Sequence, residues 1–102
     1  MNHIFEEIAT ERKRQHEKWG EQNHLMINVP LTSSALKEKA AVYKKLNNSG
    51  EHKSWFWILM EEVYEAFSET VLERIRAEMI QVAAVCVQII EYLDRHIEGG
   101  KE

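Results

Sequence analysis

The sequence predicts an all-α fold, and three observations carry that prediction. One proline and four glycines in 102 residues leave few points at which a helix must stop. Apolar residues recur three and four positions apart, the spacing that lines one face of a helix. Clusters of Thr, Ser and Asn, the residues that favour helix ends, fall between those periodic stretches. A chain of this length is one domain, residues 1–102, and domains of roughly 100 residues bury about two-thirds of their unfolded surface without needing staples.

The first helix is expected over residues 3–18, where Ile4, Phe5, Ile8 and Ala9 share a face before the text turns wholly polar. It stops at Trp19-Gly20, because glycine takes the left-handed conformation that ends helices. Residues 21–31 read as a loop with Pro30 near its end. Thr32, Ser33 and Ser34 offer N-caps for a second helix over 34–46, with Leu36, Ala40, Tyr43 and Leu46 on one face. Asn47-Asn48-Ser49-Gly50 ends it.

A third helix is expected over 53–68. At about 100° per residue, Trp55, Leu59, Val63, Ala66 and Phe67 fall on one broad arc. Glu61, Glu65 and Glu69 fall opposite, and Glu62 sits at the edge of the arc beside Trp55 and Ala66. Thr70 and Glu73 have the spacing of a capping box, so a fourth helix over 71–97 follows a tight turn. Within it MIQVAAVCVQII is apolar nearly all round apart from Gln81 and Gln88, which predicts a central helix with partners on several sides. Four helices of one short chain hardly enclose such a helix, so an oligomer is expected, most simply a two-fold dimer.

The charge count narrows the function. Thirteen Lys and Arg against seventeen Asp and Glu give −4, which excludes a general binder of nucleic-acid polymers. A single cysteine excludes an internal disulfide framework and a multi-Cys zinc site. No signal-peptide stretch or membrane-length apolar run is visible, so a cytoplasmic location away from the membrane is expected. The acidic excess lies in residues 51–102, where 11 Asp and Glu face 5 Lys and Arg.

Four of those carboxylates matter. Glu61, Glu62 and Glu65 are three and four residues apart and share a helix face, although like charges at that spacing repel. Glu78 lies beside the stripe of Ile75, Val82 and Ile89, and a helix hairpin lets it face the other three. Convergent carboxylates at a core edge suit a hard divalent cation such as Mg²⁺, with Mn²⁺ an alternative. The plainer reading is a solvated acidic face, which suits Glu69, Glu73 and Glu91 but suits Glu62 and Glu78 less well.

WFWILMEEVYEAFSE followed by RAEMIQVAAVCVQIIEYLDR resembles the MazG-like branch of the all-α NTP pyrophosphohydrolases, whose helices carry EExxE and then ExxD. Glu61-Glu62-x-x-Glu65 matches the first element, and Glu78 opens the second thirteen residues after Glu65. ERKRQHEKWGEQNH resembles the opening of small, stand-alone, phage-like members, so the likeness covers nearly the whole chain except residues 28–53. The resemblance implies a four-helix bundle completed by dimerisation or further assembly. It also implies Mg²⁺-dependent cleavage of (d)NTP to (d)NMP and pyrophosphate, as nucleotide-pool house-cleaning. By the same carry-over Glu61, Glu62, Glu65 and Glu78 hold metal and water, with Glu61 and Glu62 the catalytic pair. One departure stands out: Gln81 occupies the place of the ExxD aspartate, and a neutral amide is the poorer Mg²⁺ ligand. Either Gln81 coordinates weakly or contacts substrate, or the site holds fewer ions; small members of the family resemble this chain here, so the change reads as a subgroup trait.

Lys18, Trp19, Gln22, Asn23 and His24 form a candidate recognition set, with Lys18 for phosphate, Trp19 for base stacking, and the amides for base or sugar edges. The alternative is a polar loop with Trp19 packed in the core. Glu21-x-x-His24 has di-iron spacing, but Gly20 before it argues for irregular backbone. Arg12, Lys13 and Arg14 read as an exposed basic face, and Arg74 and Arg76 as partners of Glu73 and Glu69, with contact to phosphate oxygens the alternative for both sets. Cys86 reads as a core residue, and Trp55 as a core or interface aromatic that is also a candidate for lining a nucleotide pocket. A second function class fits the same residues: a non-catalytic helical dimer that binds a nucleotide or a protein partner.

Overall fold

Four α-helices make up the computed structural model, which describes residues 2–27, 32–50 and 53–100: α1 (Asn2–Trp19), α2 (Ser33–Asn47), α3 (Trp55–Ser68) and α4 (Leu72–Gly100). No strand occurs among the described residues, and the fold class is all-α as the periodicity predicts. Pro30 and the second part of its loop lie outside the described residues, as does His52. Among the described residues, no helix is long and apolar enough to cross a membrane.

Local chemistry sets the ends. The Thr32 hydroxyl accepts from the Ala35 N–H at 3.0 Å and opens α2, and Ser54 accepts from the Trp57 N–H at 3.1 Å and opens α3. Gly20 closes α1 at φ 66°, its N–H donating to the His16 carbonyl at 2.7 Å. The capping box expected at Thr70 does not form. Glu69 leaves α3 in an extended conformation (φ −74°, ψ 148°), and the turn carries the chain one residue further before it coils. The Val71 carbonyl then accepts from Arg74 and Ile75, at 3.0 and 2.9 Å, so α4 starts at Leu72 with Glu73 in its positive first turn.

α3 packs between α2 and α4, so α3 is the central helix and not α4, as the apolar run had suggested. Every α3 residue but Phe56 is at least half-buried. α4 meets α3 with one face only. Its Ile80, Leu93 and Ile97 are about half exposed.

α1 joins α4 through its first turns alone. Ile4 is 1% exposed, His3 Nε2 lies 3.2 Å from Asp94 Oδ2, and Phe5 and Ile8 border an apolar groove of about 500 Å³ with Ile80, Ala83, Ala84 and Val87. Beyond residue 10, α1 runs into solvent and pairs within itself, Arg14 with Glu11 at 2.6 Å and Arg12 with Gln15 at 2.8 Å. The molecule is a slab of 47 × 44 × 21 Å with a radius of gyration of 16.3 Å, against about 13 Å for a closed domain of this length. Its accessible surface is 8207 Å², where a closed monomer of 12.0 kDa exposes roughly 6,000 Å².

Candidate metal centre

The α3 sequence puts Glu61 one turn before Glu65 and Glu62 three residues before it, so their side chains rise from adjacent points of one helix. One oxygen from each lies within 4.8 Å of the others. The side of α3 opposite its apolar arc, which carries Glu61, Glu65 and Glu69, is covered by α2. All three are half-buried, Glu69 included, so Glu69 does not stand on the solvated face expected for it. Glu78, one helix away on α4, lies close enough to Glu62 and Glu65 for its charge to act on both.

The crowding shows in the acid–base chemistry. Burial first, then the charges of Glu62 and Glu61, a hydrogen bond shared with Glu61, and the charge of Glu78 push Glu65 up to about 7. Glu62 is also pushed up, by burial first and then by Glu78 and Glu61. Glu62 Oε2 and Glu78 Oε2 are buried without a hydrogen-bond partner. Buried polar atoms normally find one, so these two call for a positive ligand or a proton.

Beside them the fold builds a cleft of about 290 Å³, which Glu65 and Glu78 line and Glu61 and Glu62 do not. Lys37 and Lys44 of α2 form one wall, and Glu65, Ser68 and Glu69 of α3 with Glu78 of α4 form the other. Ser33 and Ser68 hold its rim. The Ser33 hydroxyl donates to the Ser68 carbonyl, and the Ser68 hydroxyl donates to the Glu65 carbonyl at 2.8 Å, tying the start of α2 to the end of α3. Asn47, the last residue of α2, donates from Nδ2 to Glu61 Oε1 at 2.8 Å and to the Trp57 carbonyl at 3.2 Å.

The remaining sequence-predicted residues do not line this cleft in the single chain. Lys18, Trp19, Gln22, Asn23 and His24 are all exposed at the far end of α1. Lys18 Nζ sits 4.8 Å from the centre of the Trp19 ring, Asn23 donates to Glu21 at 3.3 Å, and His24 bonds Gln22 at 2.9 Å. At 52% exposure Trp19 is not a core residue of this chain. Residues 21–24 are not helical, so Glu21 and His24 do not form a helical ligand pair. Trp55 is half-buried with its ring edge-on to Tyr92 at 5.9 Å, and Gln81 is exposed. Arg74 and Arg76 are exposed and form no ion pair with Glu69 or Glu73, and Cys86 is half-buried rather than fully enclosed.

Sequence reasoning missed Lys37, Lys44 and Asn47. The lysines are seven apart and bracket Ala40-Ala41, a pattern that brings a neighbouring helix close between two cations. Asn47 carries no such signal, since an asparagine at a helix end reads as a terminator. Comparison of the chain with family models, with curated proteins and with solved structures gives no match.

Proposed function

We propose that the chain is a Mg²⁺-dependent nucleoside triphosphate pyrophosphohydrolase, of the MazG-like all-α type its sequence resembles, cleaving an NTP or dNTP to the monophosphate and pyrophosphate. The observation that carries this reading is the convergence of Glu61, Glu62 and Glu65, with oxygens within 4.8 Å, beside a cleft that Glu65 lines together with Glu78. The donor set fits the ion: every candidate ligand is a carboxylate oxygen, as Mg²⁺ and Mn²⁺ prefer, and two of those oxygens are buried without partners. Glu61, Glu62, Glu65 and Glu78 are the residues that would hold it. Held there, Mg²⁺ would supply charge neutralisation for the polyphosphate and a template for in-line attack.

The chain's own side chains do the rest. Lys37 and Lys44 meet phosphate oxygens from the opposite wall of the cleft. Glu62, whose proton affinity is raised, and Glu61, anchored by Asn47, are the carboxylates proposed to take the proton of the attacking water. Release of pyrophosphate from the common NTPs and dNTPs with Mg²⁺ is the test. No release from any of them, with Glu62→Ala matching the parent, rejects the reading.

The same proposal includes a homodimer, or a higher assembly built from it. The chain exposes about 2,000 Å² more than a closed monomer of its mass, and a standard interface takes about 800 Å² from each partner. The groove of Phe5, Ile8, Ile80, Ala83, Ala84 and Val87 is the apolar part of that surface.

One observation favours the second reading, a helical dimer that binds a nucleotide or protein without hydrolysis. Gln81, where the family pattern has its aspartate, is exposed and lies outside the cleft. Nucleotide binding that is equally tight in EDTA, with little stabilisation by Mg²⁺, selects that reading.

A further inference from the structure

We infer that Asn47 is a positioning residue of the carboxylate cluster: its amide holds one oxygen of Glu61 inside the protein and leaves the other for a cation. The inference rests on the reading of Glu61 as a cation ligand.

Three features of Asn47 support it. Asparagine is usually an exposed residue, yet Asn47 is 7% exposed at the junction of α2 and α3. Its Nδ2 has two neighbours, the Trp57 carbonyl and Glu61 Oε1, and both are acceptors, so the amide has one orientation only. In an α-helix the carbonyl of residue 57 also receives the N–H of residue 61. The amide therefore grips the backbone and the side chain at two ends of a single α3 turn, tying Glu61 Oε1 to the backbone one turn earlier.

Charge explains why the donor is an amide. Glu61 stands among Glu62, Glu65 and, across the hairpin, Glu78. A lysine or arginine at position 47 would hold Glu61 as firmly, but it would cancel part of the negative charge that attracts a cation. Asparagine donates without a net charge. The arrangement carries a penalty, because Asn47 Oδ1 is buried with no partner. An apolar side chain of similar size would avoid that cost and serve packing as well. The engaged end of the amide is its donor end, and that end meets Glu61.

Removing an outer partner of a ligating side chain typically weakens metal binding by about 10- to 100-fold. The full chain is titrated with Mn²⁺ and the free ion is read by electron paramagnetic resonance, for the parent, Asn47→Leu, Asn47→Ala, Glu61→Ala and the double variant Asn47→Leu/Glu61→Ala. Circular dichroism checks that each remains helical. The expected result is a loss of about 10-fold in affinity for both Asn47 variants, and a change of less than about twofold when Asn47→Leu is added to Glu61→Ala.

A merely structural asparagine predicts the same loss in both backgrounds, and that outcome overturns the assignment. So does Mn²⁺ affinity in Asn47→Leu within about twofold of the parent, or loss of helicity in both Asn47 variants. A parent that binds no Mn²⁺ overturns the metal reading together with this inference. A parent that binds it normally beside an unaffected Asn47→Leu overturns this inference alone.

Discussion

Glu65→Gln is expected to stabilise the metal-free protein at pH 8 and to leave it unchanged at pH 5. In the folded chain Glu65 titrates near 7, against 4.5 for an unperturbed glutamate. The native state thus binds a proton between pH 4.5 and 7 that the unfolded state releases, and stability falls as pH rises through that window. The stabilising contribution is complete below about 4.5 and gone above about 7. At 1.36 kcal/mol per unit, the full shift corresponds to about 3.4 kcal/mol. Glu65 is only half-buried, and solvent screening reduces this to about 1 kcal/mol. Glu62 shifts in the same direction and steepens the dependence.

Glutamine keeps the shape and removes the titration. Urea unfolding in EDTA at pH 5, 6, 7 and 8, at one fixed protein concentration, compares the two proteins. The variant should show the shallower pH dependence and gain about 1 kcal/mol at pH 8, equivalent to about 4–8 °C in Tm. A variant less stable than the parent at pH 8, or one with the parent's pH dependence, refutes the reasoning. Adding Mg²⁺ at tenfold its Kd should then raise the parent by about 1.4 kcal/mol and the variant by less. If glutamine stabilises but Mg²⁺ adds nothing to the parent, the cluster is an acidic patch without a metal role.

Other substitutions probe the frame around the site. Ile4→Ala removes the one large side chain that is fully enclosed among the described residues, and should cost about 2–4 kcal/mol, with faster hydrogen exchange concentrated in α1. Ile80→Lys places a charge in the apolar groove and should reduce the mass measured by light scattering from dimer to monomer. Lys44→Ala should raise KM for the nucleotide by about 10-fold with a much smaller change in kcat, read in the pyrophosphate assay, as loss of a phosphate contact does.

Much of this architecture is legible in the chain because it depends on neighbours in sequence. The helices, the Thr32 cap and the Gly20 stop follow from residues within a turn of one another. The grouping of Glu61, Glu62 and Glu65 follows in the same way. What the sequence misplaces depends on which helix lies against which. A helical wheel puts Glu61, Glu65 and Glu69 on the polar side of α3, and only the position of α2 turns that side into a cleft wall. Lys37, Lys44 and Asn47 enter the site for the same reason: each acts across the α2–α3 contact, a relation that no spacing within one helix encodes. The Thr70 cap is missed by one residue, the scale at which helix starts are set by turn geometry.

The apolar run of α4 suggested a helix enclosed on all sides, and the structure resolves that signal into two separate faces. At about 100° per residue, Glu78, Val82, Val85 and Ile89 fall on the side that meets α3. Ile80, Ala83, Ala84 and Val87 fall roughly half a turn round, on the open groove with Phe5 and Ile8. A single neighbour satisfies one face, and the other is left to α1's first turns and solvent. The carboxylates and the open groove therefore stand on opposite sides of one helix. Closure by a second copy would bury the groove without covering the cleft, so the proposed assembly and the proposed cation binding can be tested separately. Ile80→Lys accordingly discriminates between them: Mn²⁺ affinity that persists in the monomer places the whole ligand set in one chain, whereas affinity lost with the dimer requires residues from both.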